Sequence, residues 1–215
     1  MNIEELKFEI KKYASVDYNS TSKSYIHHMN DIIDNSNDTS IMIGHPNDIL
    51  FIAMEEIVEF LDAVKNVEDN NYPVNMDNNY LINFAEEFVD VRIAVIKVIR
   101  YLGQKYGIEQ MEFSYLQYDF CYSDTYGESG KIKDIYADLI KMHSSISKYA
   151  RMNNYTEDAD QIKIISNLLD SCISVYMKMT SVGSTFSYAM INLINIITDI
   201  KIKRQRERDT KICKG

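Results

Sequence analysis

Apolar and polar positions along this chain fall into long amphipathic stretches separated by polar, Asn-rich ones, and the stretches read as five or six helices. The first covers about residues 2–14 and is followed by the polar "SVDYNSTSKS"; a short second helix is predicted around "SYIHHMNDIID". The loop "NSNDTSIMIGHPND" then ends in an Asn47 or Asp48 cap before the helix "ILFIAMEEIVEFLDAVKN". A second Asn-rich loop, "NVEDNNYPVNMDNN", leads into "YLINFAEEFVDVRIAVIKVIRYLGQKYG", which Gly103 or Gly107 is expected to stop. Residues 108–130, Tyr-rich and irregular, read as a linker. A second helix pair follows, "KIKDIYADLIKMHSSISKYARMN" and "EDADQIKIISNLLDSCISVYMKM". "VGST" is expected to break the chain, with Ser184 or Thr185 capping a final helix over about 185–208.

The second half echoes the first. "YADLIKMHSSISKYAR" has the place and apolar rhythm of "AMEEIVEFLDAVKN", and "IISNLLDSCISVYMKM" parallels "NFAEEFVDVRIAVIKVI". Carboxylates are mostly missing from the echo, which keeps Asp138/Lys141 and Asn167/Asp170. The expected organisation is therefore one all-α domain over 1–215. Residues 1–107 form its motif-bearing half; residues 131–208 form a degenerate repeat ending in a basic helix.

Composition narrows the function classes. With 7 Gly and 2 Pro in 215 residues, long helices account for the chain better than many strands and turns. A net charge of −9 argues against a nucleic-acid polymer as partner, because wrapping a phosphate backbone needs clustered Lys and Arg. Cys121, Cys172 and Cys213 are widely spaced and make neither a zinc pattern nor a disulfide framework, which fits a reducing cytoplasm. The N-terminal "MNIEELKFEIKKY" lacks the apolar run of a signal peptide. The most apolar window, "FSYAMINLINIITDI", is interrupted by Asn192 and Asn195 and reads as a buried helix, so no membrane partner is expected.

Two acidic groups stand out. Glu55, Glu56, Glu59 and Asp62 lie on one side of the 49–66 helix without a basic residue among them. On the next helix Glu87 and Asp90 are three apart and Glu86 and Asp90 four apart, the spacings that share a face. Each helix alone reads as an ordinary amphipathic helix with a wet acidic face. Together they change the reading, because consecutive helices pack antiparallel and can turn their acids toward each other. Ala63 and Ala94 at the edges of the arcs would permit a close approach. Converging carboxylates repel and raise one another's pKa values, a penalty that a hard divalent cation removes. Mg²⁺ takes oxygen ligands and bridges carboxylates to phosphates, whereas the Glu-x-x-His of a bundle di-iron site is absent. Asp62 drops out as surface.

"EEIVE" at 55–59 followed by "EFVD" at 87–90 resembles the E-E-x-x-E … E-x-x-D signature of the MazG-like all-α nucleoside triphosphate pyrophosphohydrolases, the superfamily of the dimeric dUTPases and dCTP pyrophosphatases. Their frequent terminal K-x-x-R-x-x-x-R pattern is matched by Lys201, Arg204 and Arg208. The resemblance covers the helix pair at 50–102 and the final helix, and leaves 1–45 and 103–130 unaccounted for. It implies a helical bundle, built here as a tandem, pseudo-dimeric repeat with one working site. Its implied Mg²⁺ ligands are Glu56, Glu59, Glu87 and Asp90, with Mn²⁺ a substitute metal, and Glu55 supports the site or orients the attacking water. The implied reaction is water attack at the α-phosphorus of a (d)NTP, giving a (d)NMP and pyrophosphate. Lys201, Arg204 and Arg208 would neutralise the outer phosphates, with Lys97 a further candidate.

The alternatives are a catalytically inactive nucleotide-binding or regulatory protein that keeps the acidic motif, and a purely structural bundle. Uracil recognition motifs are missing, so the base stays open, as does a homodimer. Residue usage hints at an AT-rich genome, placing the protein in the cytoplasm of a bacterium or, if viral, of the host cell. His27 and His28 read as packed or exposed helix residues, and His45 and His143 have no nameable partner. The chain has no glycine-rich phosphate loop.

Overall fold

The computed structural model describes residues 3–15, 46–70, 79–106, 133–152, 158–184 and 188–212, and among them the protein is all-α, with no strand. The described residues form six helices: α1 (Ile3–Ser15), α2 (Pro46–Asn70), α3 (Asn79–Tyr106), α4 (Lys133–Ala150), α5 (Asp158–Ser184) and α6 (Tyr188–Ile212). No described helix is long and apolar enough to cross a membrane. The short helix expected near residues 24–34, with His27 and His28, and the 108–130 linker lie outside the described residues.

The helices match the apolar periodicity, and their ends differ for identifiable reasons. α2 starts at Pro46, so Asn47 and Asp48 occupy its first turn instead of capping it. Proline suits that position because its ring presets φ and the N–H it lacks would have no intrahelical partner. Asp48 in the first turn complements the helix dipole. The same helix continues to Asn70, through part of the stretch expected to be loop. Gly103 does not stop α3, which ends at Tyr106 just before Gly107. α5 runs through Gly183 to Ser184, so that serine closes α5 and does not cap α6. A single glycine costs a helix only about 1 kcal/mol relative to alanine, less than the packing of a long helix supplies.

Contacts divide the chain into two compact units, residues 1–43, 59–93 and 186–215 in one and 44–58 and 94–185 in the other. The continuous helices α2 and α3 contribute to both. In the first unit α1 packs on α6, with Leu6 and Ile10 buried on one side and Ile194, Ile197 and Ile200 buried on α6. An aromatic trio fills this unit where α2 meets α3. Phe60 lies 5.6 Å from Phe84 and 5.8 Å from Phe88 between ring centroids, and all three are buried. Arg92, also buried, places its guanidinium over the Phe88 ring.

In the second unit α4 and α5 form a hairpin. Ile135, Leu139, Met142, Ile146 and Tyr149 line one side of it, and Leu168, Cys172, Val175 and Met179 line the other. Both sets run at alternating four- and three-residue steps, the spacing of a helix–helix seam. Asp138, one of the carboxylates kept in the second half, pairs with Lys178 of α5, and Asp170 is exposed. Burial pushes the Cys172 thiol up, so it acts as a small apolar core residue and not as a nucleophile.

Farther along, the Lys105 ammonium donates to the hydroxyls of Tyr149 at 2.9 Å and Tyr101 at 3.1 Å, and it lies over the rings of Tyr101, Tyr106 and Tyr149. Replacing Tyr149 with Phe keeps the ring and removes the shared hydroxyl. Stability should fall by about 1 kcal/mol, the net worth of such a hydrogen bond. An unchanged urea midpoint would show that the hydroxyl contributes nothing.

Candidate metal centre

The acids of α2 fan around the helix at about 100° per residue. Ile57, Phe60 and Val64 define the buried side, with Ala63 beside it. Glu56 sits on the edge of that side and is half-buried, whereas Glu59 lies farther round, Glu55 and Asp62 farther still, and all three are exposed. Val58 is 55% exposed, because it stands about 100° from Ile57 on the other flank. Asp62 is on the surface, as its outward position implies, and accepts a hydrogen bond from Asn66.

α3 differs in kind from a surface helix. Between Leu81 and Leu102 it is buried nearly all round, and its half-exposed positions form one stripe: Asn83, Glu87, Asp90, Ile93, Lys97 and Arg100. Glu87 and Asp90 therefore lie on the one open strip of an otherwise enclosed helix. Glu86 lies off that strip and is 8% exposed.

One carboxylate oxygen from each of Glu56, Glu87 and Asp90 comes within 4.8 Å of the other two, the one such group of three among the described residues. The donor set is entirely oxygen, which suits Mg²⁺ or Mn²⁺ and not a soft metal. Oε2 of Glu87 is buried with no hydrogen-bond partner among the described residues, the condition of an acid awaiting a cation or proton. Burial, then the charges of Asp90, Glu59 and Glu86, push the Glu87 carboxyl up to about 7, with Lys201 opposing them. A group of acids that hold one of their number partly protonated near neutral pH is a fit for a divalent cation. Glu59, expected as a fourth ligand, is exposed and outside the triad, though near enough to act on Glu87. Glu55 is also exposed and outside it.

The basic residues separate. Lys201 extends from α6 to ion-pair with Asp90 and, at 3.0 Å, with Oε1 of Glu86. Its side chain is 18% exposed. Burial by itself would depress the ammonium's pKa, but Asp90 and Glu86 outweigh that and hold it above the usual lysine value. Burial is also the largest influence on Asp90 and raises its carboxyl, with Lys201 opposing. Arg204, one turn farther along α6, lines a groove with Glu4, Glu5, Phe8 and Glu9 of α1. Lys97 is half-buried on the α3 stripe, and Arg208 lies in α6, its side chain outside what is described.

Sequence reasoning noted Glu86 without a role and took Lys201 for a phosphate ligand. The sequence signals the burial of the Lys201 stem, though not its partners. Lys201 continues the buried stripe Met190, Ile194 and Ile197 at three- and four-residue steps, so its stem follows the core-facing side of α6. Comparison of the chain with protein-family models, curated proteins and solved structures finds no match.

Proposed function

We propose that the protein is a Mg²⁺-dependent nucleoside triphosphate pyrophosphohydrolase of the MazG-like kind, converting a (d)NTP to a (d)NMP and pyrophosphate in the cytoplasm. The reading rests on one observation, the convergence of Glu56, Glu87 and Asp90 from two consecutive helices, with a buried Glu87 oxygen lacking a donor. Those three carboxylates would hold the metal, and exposed Glu59 would stand at the rim to complete its shell through solvent. When bound, Mg²⁺ (or Mn²⁺) neutralises phosphate oxygens and lowers the pKa of coordinated water. Phe60, Phe84 and Phe88 fix the two helices that carry the acids, so the carboxylates are preorganised. Lys201 and Lys97 are the cations of α6 and α3 suited to the substrate's outer phosphates. The acid-poor α4–α5 hairpin would serve as the degenerate partner of the first half.

One observation favours a second reading. Lys201 already pairs with both Asp90 and Glu86, as it would in a catalytically silent, nucleotide-binding protein that has replaced its metal with an internal charge. A panel of the common NTPs and dNTPs with Mg²⁺, read by pyrophosphate release, separates the two. At least one substrate should give NMP and pyrophosphate, and the activity should vanish in Glu56→Ala and Glu87→Ala. Absence of turnover across the panel by folded protein would discard the enzyme in favour of the silent reading.

A further inference from the structure

Lys201 is the one residue whose observed place departs most from a simple phosphate ligand. It comes from α6, 111 residues from Asp90 in the chain, and inserts its ammonium between Asp90 and Glu86. Asp90 is also a member of the acid triad, so the same carboxylate serves both the ammonium and any cation held with Glu56 and Glu87. A carboxylate has lone pairs for more than one partner. An ammonium and a divalent ion at the same acid nevertheless repel strongly where burial lowers the dielectric. Glu86 provides the second contact: it is buried, lies outside the triad and has no separate role in holding a cation.

We propose that Lys201 is a built-in exchangeable counter-ion. In metal-free protein its ammonium is shared between Asp90 and Glu86 and offsets one of their two charges. When a divalent cation occupies the triad, the ammonium leaves Asp90, keeps Glu86 or swings on its flexible stem, and becomes a positive group for an anionic ligand beside the metal. This rests on the metal-site reading above and adds to it an order of events: the ammonium that pairs with Asp90 is the one released when the site is loaded. The stem makes the exchange feasible. Lysine carries a compact charge on four methylenes, so the head can move without shifting α6.

The inference is tested with Mn²⁺ alone, without nucleotide, by titration calorimetry or by the loss of the free-Mn²⁺ magnetic resonance signal. Lys201→Gln removes both the competitor for Asp90 and a repelling charge, so Mn²⁺ should bind about tenfold more tightly or better than to wild type. Binding by the variant alone would be the same result in its extreme form. If wild type binds Mn²⁺ and the variant binds it equally or more weakly, Lys201 is a fixed structural partner and the inference falls while the metal site stands. If neither protein binds Mn²⁺, the metal reading itself fails and takes this one with it. A second measurement needs no variant. Acylation of Lys201 in the wild-type protein, followed by mass spectrometry, should speed up several-fold on saturation with Mn²⁺. An unchanged or slower rate in the metal-saturated protein would overturn the exchange.

Discussion

Glu87→Gln should abolish Mn²⁺ binding and reduce pyrophosphate release by about a hundredfold or more, close to 3 kcal/mol of barrier, while making the metal-free protein more stable at alkaline pH. The two effects have opposite signs because one group causes both. Burial and the acids around it raise the Glu87 pKa from 4.5 to about 7. An acid with a raised folded-state pKa binds its proton more tightly in the folded than in the unfolded chain. Its penalty is therefore absent below pH 4.5, grows as pH rises, and is complete above 7. Gln mimics the protonated acid, so the variant should match wild type at pH 4 and exceed it at pH 8. Because the carboxyl is only half-buried, solvent screening limits the gain to on the order of 1 kcal/mol. Denaturant unfolding in the presence of a chelator at both pH values measures it. Equal destabilisation at both would mean that Glu87 is an ordinary structural acid.

Phe60→Ala should destabilise the protein by about 3–5 kcal/mol, the usual loss for a fully buried aromatic. Phe60 is wholly enclosed, meets Phe88 edge-on, and is the α2 member of the trio that holds α2 against α3. Its removal leaves a cavity directly beneath the turn that carries Glu56 and Glu59. Cation affinity should therefore fall along with stability, although no ligand is touched. Phe60→Leu retains most of the volume and should cost less than half as much. Urea unfolding of both variants, with Mn²⁺ titration of the Leu variant, checks the argument. A loss below about 1 kcal/mol in Phe60→Ala would show that the trio is not tightly packed.

The helices were legible because their signal is local. Apolar residues at three- and four-residue steps locate α2 to α6 whatever those helices pack against, and the acid pairs Glu56/Glu59 and Glu87/Asp90 follow from the same spacing. Helix ends were less legible, since packing carries α5 through Gly183 and α3 through Gly103. Which glutamate of α2 turns inward was also hidden. Glu55, Glu56 and Glu59 share an arc, and only the buried positions of Ile57, Ala63 and Phe60 decide that Glu56 belongs to the edge of the core and Glu59 to solvent.

The sequence by itself determined that this chain is helical and that two successive helices each carry acids at face-sharing spacings. Both properties depend on the fixed 100° step of one helix and on neighbours a few residues away. Tertiary structure alone decided that α3 is enclosed except for the strip bearing Glu87 and Asp90. It also decided that Glu86 is buried and that Lys201 of α6 ion-pairs with it and with Asp90. Those outcomes join residues more than a hundred positions apart. No local period encodes such a pairing; it is set by which helix faces remain to be covered when the chain closes on itself, and by the need of a buried carboxylate for a charge of the opposite sign.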